Sequence, residues 1–134
     1  MPMSTKQARQ YPAQLVHYLR KTVVFGDNGI EREVGVIPAG ALILRPLSGV
    51  AVCTVFNAGT TNTLNIGTQS PVDDDDLFGT LLALGALNFV PLDEVVNNRV
   101  SADTIITATV VLTGTTATTG EAEVIIAYIP DNDL

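Results

Sequence analysis

The chain has 134 residues, of which 46% are hydrophobic and 16% charged, with a net charge of −7. This length suits one domain with one continuous core, and a charged fraction below the usual quarter indicates a folded protein with a weakly charged surface that lies against partners. No apolar stretch approaches the length of a membrane span, and a single cysteine, Cys53, excludes an intrachain disulfide.

The charge is unevenly distributed along the chain. Residues 1–26 contain no acid and four bases, Lys6, Arg9, Arg20 and Lys21. The remaining residues contain three bases and fourteen acids, a net charge of −11. Four bases with few interleaved aromatic residues are too few for a typical nucleic-acid surface, and the acidic body would repel phosphates. The basic segment therefore predicts contact with an acidic neighbour and argues against nucleic acid.

The amino-terminal half predicts an arm followed by strands. Residues 1–13 are polar and form an extended arm, and residues 15–25 alternate in a long strand. Gly26-Asp27-Asn28-Gly29 predicts a tight turn, so that residues 30–37 pair back as a hairpin. Further strands are predicted at residues 41–44, 50–56 and 63–66, with the sequence NAGTT as a turn between the last two. Residues 67–76 then form a polar loop that ends in four aspartates.

The carboxy-terminal half contains the one helix candidate and the clearest strands. Residues 77–87 have leucines near helical spacing, with Asp76 as a cap, but Gly79 and Gly85 weaken the pattern; we expect a short helix or an irregular apolar loop. Residues 87–92 predict a strand and 93–99 a connection. Residues 104–112 and 121–129 predict strands of a closing hairpin, with inward faces formed by Ile106, Ala108, Val110, Leu112 and by Ala122, Val124, Ile126, Tyr128.

These elements predict an all-β fold: an antiparallel two-sheet sandwich of about eight strands over residues 14–130. Sixteen threonines support it, since β-branched residues favour strands. The strand count favours a jelly roll, with an immunoglobulin-like sandwich as the alternative. Residues 131–134 form an acidic tail. Cys53 lies in an apolar run and is expected to be buried, and the first twenty residues lack the apolar stretch of a signal peptide, so we expect synthesis in a reducing cytoplasm.

No motif for catalysis, a metal or a cofactor emerges. His17 lies in mid-strand and is assigned a structural role, and no nucleophile elbow surrounds a serine. Asp73–Asp76 offer oxygen ligands of the kind that bind Ca²⁺, but adjacent carboxylates are expected to point apart, which favours a solvated loop. Glu121 and Glu123 mark the solvent side of an edge or surface strand. We therefore expect a protein that is not an enzyme and binds no cofactor.

Three segments carry a resemblance to a known family: VIPAGA at residues 36–41, residues 50–67 with their NAGTTNTLNIG core, and the strands at 104–112 and 121–129. Together they resemble the small capsid decoration (cement) proteins of tailed bacteriophages. The resemblance implies a jelly-roll-like domain, made in the host cytoplasm, that binds the outer surface of the capsid as a dimer or trimer and staples neighbouring major capsid proteins. A phage tail, tail-tip or fibre protein with receptor or glycan binding is the alternative.

Two segments are expected to bind the partner. In the basic segment, Lys6, Arg9, Arg20 and Lys21 reach an acidic strip on the shell, while Tyr11 and Pro12 supply an apolar anchor. The second candidate is the leucine-rich segment at 77–87, with Leu77, Phe78 and Leu81, because such a sequence needs a core or a partner to cover it.

Overall fold

The computed structural model describes residues 15–131, which form nine strands and two short 3₁₀ turns. The strands are β1 His17–Val24, β2 Glu31–Ile37, β3 Leu42–Ile43, β4 Gly49–Thr54, β5 Thr61–Ser70, β6 Asp74–Ala83, β7 Phe89–Pro91, β8 Thr104–Thr113 and β9 Glu121–Ile129. The 3₁₀ turns are Phe25–Asp27 and Arg45–Leu47. Within residues 15–131 no helix has the length and apolarity needed to cross a membrane.

The strands form two antiparallel sheets. The first sheet has the order β1-β9-β4-β7, with β3 also paired to β9, and the second has the order β2-β8-β5-β6. The pairing is nested: β1 with β9, β2 with β8, β4 with β7 and β5 with β6. Nested pairs distributed over two sheets are the topology of a jelly roll. The predicted all-β sandwich is therefore confirmed, while the predicted arm lies outside the described residues.

The core lies between the two sheets and follows the two-residue period of the strands. The inward faces predicted for β8 and β9 are buried, and Tyr128 is half-buried and packs against the same core. Phe56, in the loop between β4 and β5, is the largest fully buried side chain among residues 15–131. Cys53 was expected to be buried but is exposed, because it alternates along β4 with the buried Val50 and Val52 and so lies on the outer face of the sheet.

Both predicted hairpins are wrong, because each predicted turn carries the chain from one sheet to the other. β1 lies in the first sheet and β2 in the second, and likewise β8 and β9 belong to different sheets. The turn after β1 is held against β8: Gly29 N donates to Val110 O over 2.8 Å. The side-chain amide of Asn28 donates to Leu112 O and accepts from Leu112 N, at 3.2 and 2.9 Å.

The predicted helix and polar loop are also wrong, since β5 and β6 occupy that segment. Asp76 lies within β6 and caps no helix. The pairing of β5 with β6 shifts register twice, around Ile66, and Leu81 has a positive φ of 52°, with its N–H bonded to Asn65 Oδ1 over 2.8 Å. These irregularities remove the two-residue period, so the leucines fall at spacings typical of a helix.

Ser48 fills a gap in the first sheet. β9 pairs with β4 up to Ile125 and with β3 from Tyr128 onward. Between them, Ser48 Oγ accepts from Ala127 N over 2.9 Å and donates to Leu44 O over 2.7 Å. The side chain is fully buried, so it replaces one rung of the ladder where β9 changes partner.

Candidate partner-binding surface

Four of the predicted site residues, Lys6, Arg9, Tyr11 and Pro12, lie outside the described residues. Arg20 is exposed on β1, where its Nε forms an ion pair with Glu123 Oε1 of β9. The hydrogen bond with Glu123 and the charge of that carboxylate raise the pKa of Arg20 above its usual value. The two side chains therefore neutralise each other on the outer face of the first sheet.

That outer face has little charge. Tyr18, Arg20, Glu123 and Ile125 line a shallow depression of about 400 Å³, and the Tyr18 side chain is 60% exposed. Across the sheet, Glu123 lies opposite Ala51, which lies opposite Phe89. A broad sheet face with an exposed tyrosine and a neutralised ion pair has the chemistry of the less charged centre of a protein interface.

Lys21 lies on the other side of β1 from Arg20 and is half-buried. It contributes to the electrostatics of Asp27, whose carboxylate binds Arg32 Nη2 over 2.7 Å and accepts from Val24 N over 3.0 Å. Burial of Asp27 would raise its pKa, but the hydrogen bonds from Val24 and Arg32 and the positive charges of Arg32 and Lys21 together lower it. Lys21 therefore lies near the turn after β1 and is less accessible than Arg20.

The leucine-rich segment divides between core and surface. Phe78 is 4% exposed and belongs to the core, and Leu77 is half-buried against it. Leu81 is 57% exposed, and its positive φ turns this side chain to solvent. Of these three residues, Leu81 alone presents most of its surface to a partner.

Asp74, Asp75 and Asp76 converge, with one carboxylate oxygen from each within 4.8 Å of the others. The expectation that they point apart is wrong, because four residues of β6 bulge opposite Gly67 between the Ile66–Gly79 and Thr68–Asp74 pairs. The hydrogen bond with Asp74, followed by desolvation and the neighbouring carboxylates, raises the pKa of Asp76. Exposed acidic groups commonly lie together without an ion, so the geometry alone assigns no cation here.

The other titratable candidates lie on the first sheet. His17 is exposed and stacks on Tyr128, with ring centroids 5.8 Å apart. Glu121 and Glu123 were expected on an edge or surface strand; they lie on β9, which is paired on both sides, and Glu123 is engaged by Arg20. Both His17 and Glu123 therefore contact neighbouring side chains of the first sheet.

The sequence interpretation missed Tyr18 and Ile125 as parts of one surface. Alternation in β1 already placed Tyr18 and Arg20 on the same face. The missing information was the partner strand: β1 pairs with β9, in the register Arg20–Ile125, and this register joins residues more than a hundred positions apart in the chain.

Comparison with known proteins yields a match of fold. No protein-family model matches the sequence, and no curated protein matches it. Among solved structures, a chain in the cyanophage Pam1 capsid asymmetric unit superposes with a TM-score of 0.63 at 19% sequence identity. The superposition covers 96% of this chain and 98% of that chain. At this identity the similarity shows a shared fold over nearly the whole length.

Proposed function

We propose that this protein is a structural component of a phage virion that decorates the outer surface of the capsid and cements neighbouring major capsid proteins. The observation that carries the proposal is the fold shared, over nearly the full length of both chains, with a chain of a cyanophage capsid asymmetric unit. The resemblance of residues 36–41 and 50–67 to decoration proteins supports the same role. Such a role is mechanical, and it needs neither catalysis nor a bound cofactor.

The described surface suits a protein that binds through many weak contacts. A decorating homo-oligomer meets several neighbours at once, and its contacts add through effective concentration. The low-charge outer face of the first sheet and the exposed Leu81 provide apolar contacts. Exposed ion pairs contribute roughly 0–1 kcal/mol each, so basic residues such as Lys6 and Arg9 would guide encounter and register more than affinity.

Quantitative mass spectrometry of purified virions, with localisation by electron cryomicroscopy, tests this proposal. We expect hundreds of copies on the outside of the head. A handful of copies at the tail would contradict capsid decoration and support the tail or fibre alternative. Absence from purified virions would contradict both roles.

A truncation lacking residues 1–13 tests the arm. We expect it to fold, because the first described strand begins at His17, and to bind expanded shells more weakly than the full chain. Binding at full strength in moderate salt would show that the arm is incidental. The docking surface would then lie on the β domain.

A further inference from the structure

The four edges of the two sheets are protected to different degrees. An unprotected edge strand exposes a row of backbone N–H and C=O groups that can pair with another chain. β7 has three residues, too few for a long ladder. β6 is covered by the following connection: Glu94 N donates to Phe78 O over 3.2 Å and Thr80 N to Asp93 Oδ1 over 2.9 Å. β2 has charged residues at Glu31–Glu33 and a register shift before Gly35.

β1 has none of these protections. Its eight residues pair with β9 in one unbroken register, contain neither proline nor glycine, and pair with no other strand among residues 15–131. Its two charged residues do not prevent another strand from pairing at this edge. Arg20 is neutralised by Glu123, and Lys21 is half-buried on the opposite face of the strand.

The ladder identifies the free backbone groups. Phe25 N donates to Gly120 O over 3.1 Å, in line with the β1–β9 register, whereas Val24 N donates away from β9, to Asp27 Oδ2 over 3.0 Å. Because hydrogen bonding alternates along an antiparallel strand, the odd-numbered residues bond to β9. The N–H and C=O groups of Tyr18, Arg20 and Thr22 therefore point to the open edge.

We propose that this edge is a homodimerisation site, at which β1 pairs antiparallel with β1 of a second copy and joins the two first sheets into one. The proposal deepens the homo-oligomer of the proposed function by naming its surface. A two-fold interface requires a strand that is complementary to itself, and like charges disfavour two of the possible registers. Placing Arg20 opposite Arg20, or Lys21 opposite Lys21, sets like charges against each other, which destabilises a strand pair.

The register that pairs Tyr18 with Arg20 of the second copy avoids both clashes. It places the two Leu19 residues at the two-fold axis and Thr22 opposite Val16. The guanidinium then lies beside a tyrosine ring, a favourable cross-strand pair. Four pairs from Val16 to Thr22 exchange about eight backbone hydrogen bonds. The second copy thus binds the backbone N–H and C=O groups of β1 that point away from β9.

Sedimentation equilibrium of the full chain and of Thr22→Pro tests the site. Proline removes the outward N–H at position 22 and obstructs the incoming strand, but it leaves the bonds to β9, and proline is tolerated at such edge positions. We expect wild type at the mass of two 14.1 kDa chains and Thr22→Pro at the mass of one. Thr22→Val keeps the N–H and the branched shape, and we expect it to remain dimeric.

Amide hydrogen exchange of the wild type keeps the test independent of mutant folding. In the dimer, the amides of Tyr18, Arg20 and Thr22 should exchange slowly; after dilution to monomer they should exchange fast, while those of Leu19 and Lys21 remain slow throughout. A monomeric or trimeric wild type, or a dimeric Thr22→Pro, would overturn the proposal. Protection of Tyr18 and Arg20 in the monomer would instead show that the chain's own arm covers the edge, which also overturns it.

Two outcomes separate this inference from the proposed function. A β1-paired dimer that is absent from virions supports the dimer and contradicts capsid decoration. A wild-type monomer found on the outside of virion heads contradicts the dimer and supports capsid decoration. If that monomer binds shells and Thr22→Pro does not, the edge takes a strand of the shell protein, and the homodimer is overturned.

Discussion

Replacing Ser48 by alanine removes the hydroxyl that bridges β3, β4 and β9. Leu44 O keeps a second donor, Leu47 N, at 3.2 Å, whereas Ala127 N loses the oxygen to which it donates. An unpaired buried donor costs about 1–3 kcal/mol. Alanine leaves little additional cavity, so the loss reports the hydrogen bond. We expect Ser48→Ala to lower the free energy of unfolding by about 2 kcal/mol.

Thermal and urea unfolding, followed by circular dichroism, measure this loss. In a chain of this size about 2 kcal/mol corresponds to a fall in Tm of roughly 6–10 °C. Ser101→Ala is the matched control, because Ser101 is exposed in a loop, and we expect it to change stability by less than about 0.5 kcal/mol. If Ser48→Ala unfolds within error of Ser101→Ala, the hydroxyl is not the missing rung of the ladder and the reasoning is refuted.

Three further substitutions test packing and charge by urea unfolding. Phe56→Ala should cost about 3–5 kcal/mol, because a fully buried ring leaves a cavity; a loss below about 1 kcal/mol would contradict its core position. Asp27→Asn removes the carboxylate that binds Arg32 and should cost about 1–3 kcal/mol at pH 7. Since folding lowers the pKa of Asp27 below its usual 3.8, this stabilisation is present above that value and lost as the pH falls through the folded-state pKa; a difference from wild type that does not shrink as the pH is lowered below 3.8 would contradict it. Gly49→Ala places a methyl group against the β7 backbone and should cost about 1–3 kcal/mol, whereas Gly85→Ala meets no atom within 4 Å; equal stability of the two variants would contradict this contact.

The sequence predicted the sandwich and the faces of its regular strands, because burial on one face imposes a two-residue period. Ile106 to Leu112 and Ala122 to Ile126 keep that period without interruption. The segment of β6 was predicted as a polar loop followed by a short helix or an irregular apolar loop, because its bulge and the positive φ of Leu81 shift the apolar positions. Such irregularities depend on contacts with β5, for example that between Leu81 N and Asn65, and a local pattern does not contain them.

Strand partners were the second gap in the prediction. The turn residues after β1 were identified correctly, but turn chemistry does not state which sheet the next strand joins. That choice depends on Asn28 bonding to Leu112, a contact between distant parts of the chain. The candidate surface shows the same limit: alternation put Arg20 and Tyr18 on one face of β1, whereas the pairing of Arg20 with Glu123 required the register of β1 against β9.

The nested pairing has a consequence for biosynthesis. His17 of β1 and Tyr128 of β9 are partners. Among the strands of residues 15–131, the one synthesised first therefore cannot complete its sheet until the one synthesised last has left the ribosome. Long-range pairing of this kind slows folding, and we expect a ribosome-bound chain that ends before Glu121 to remain sensitive to protease. Protease resistance of such a chain would contradict this order of events. The edge of β1 becomes a regular template only once β9 has paired with it, so we expect subunits to associate as folded domains.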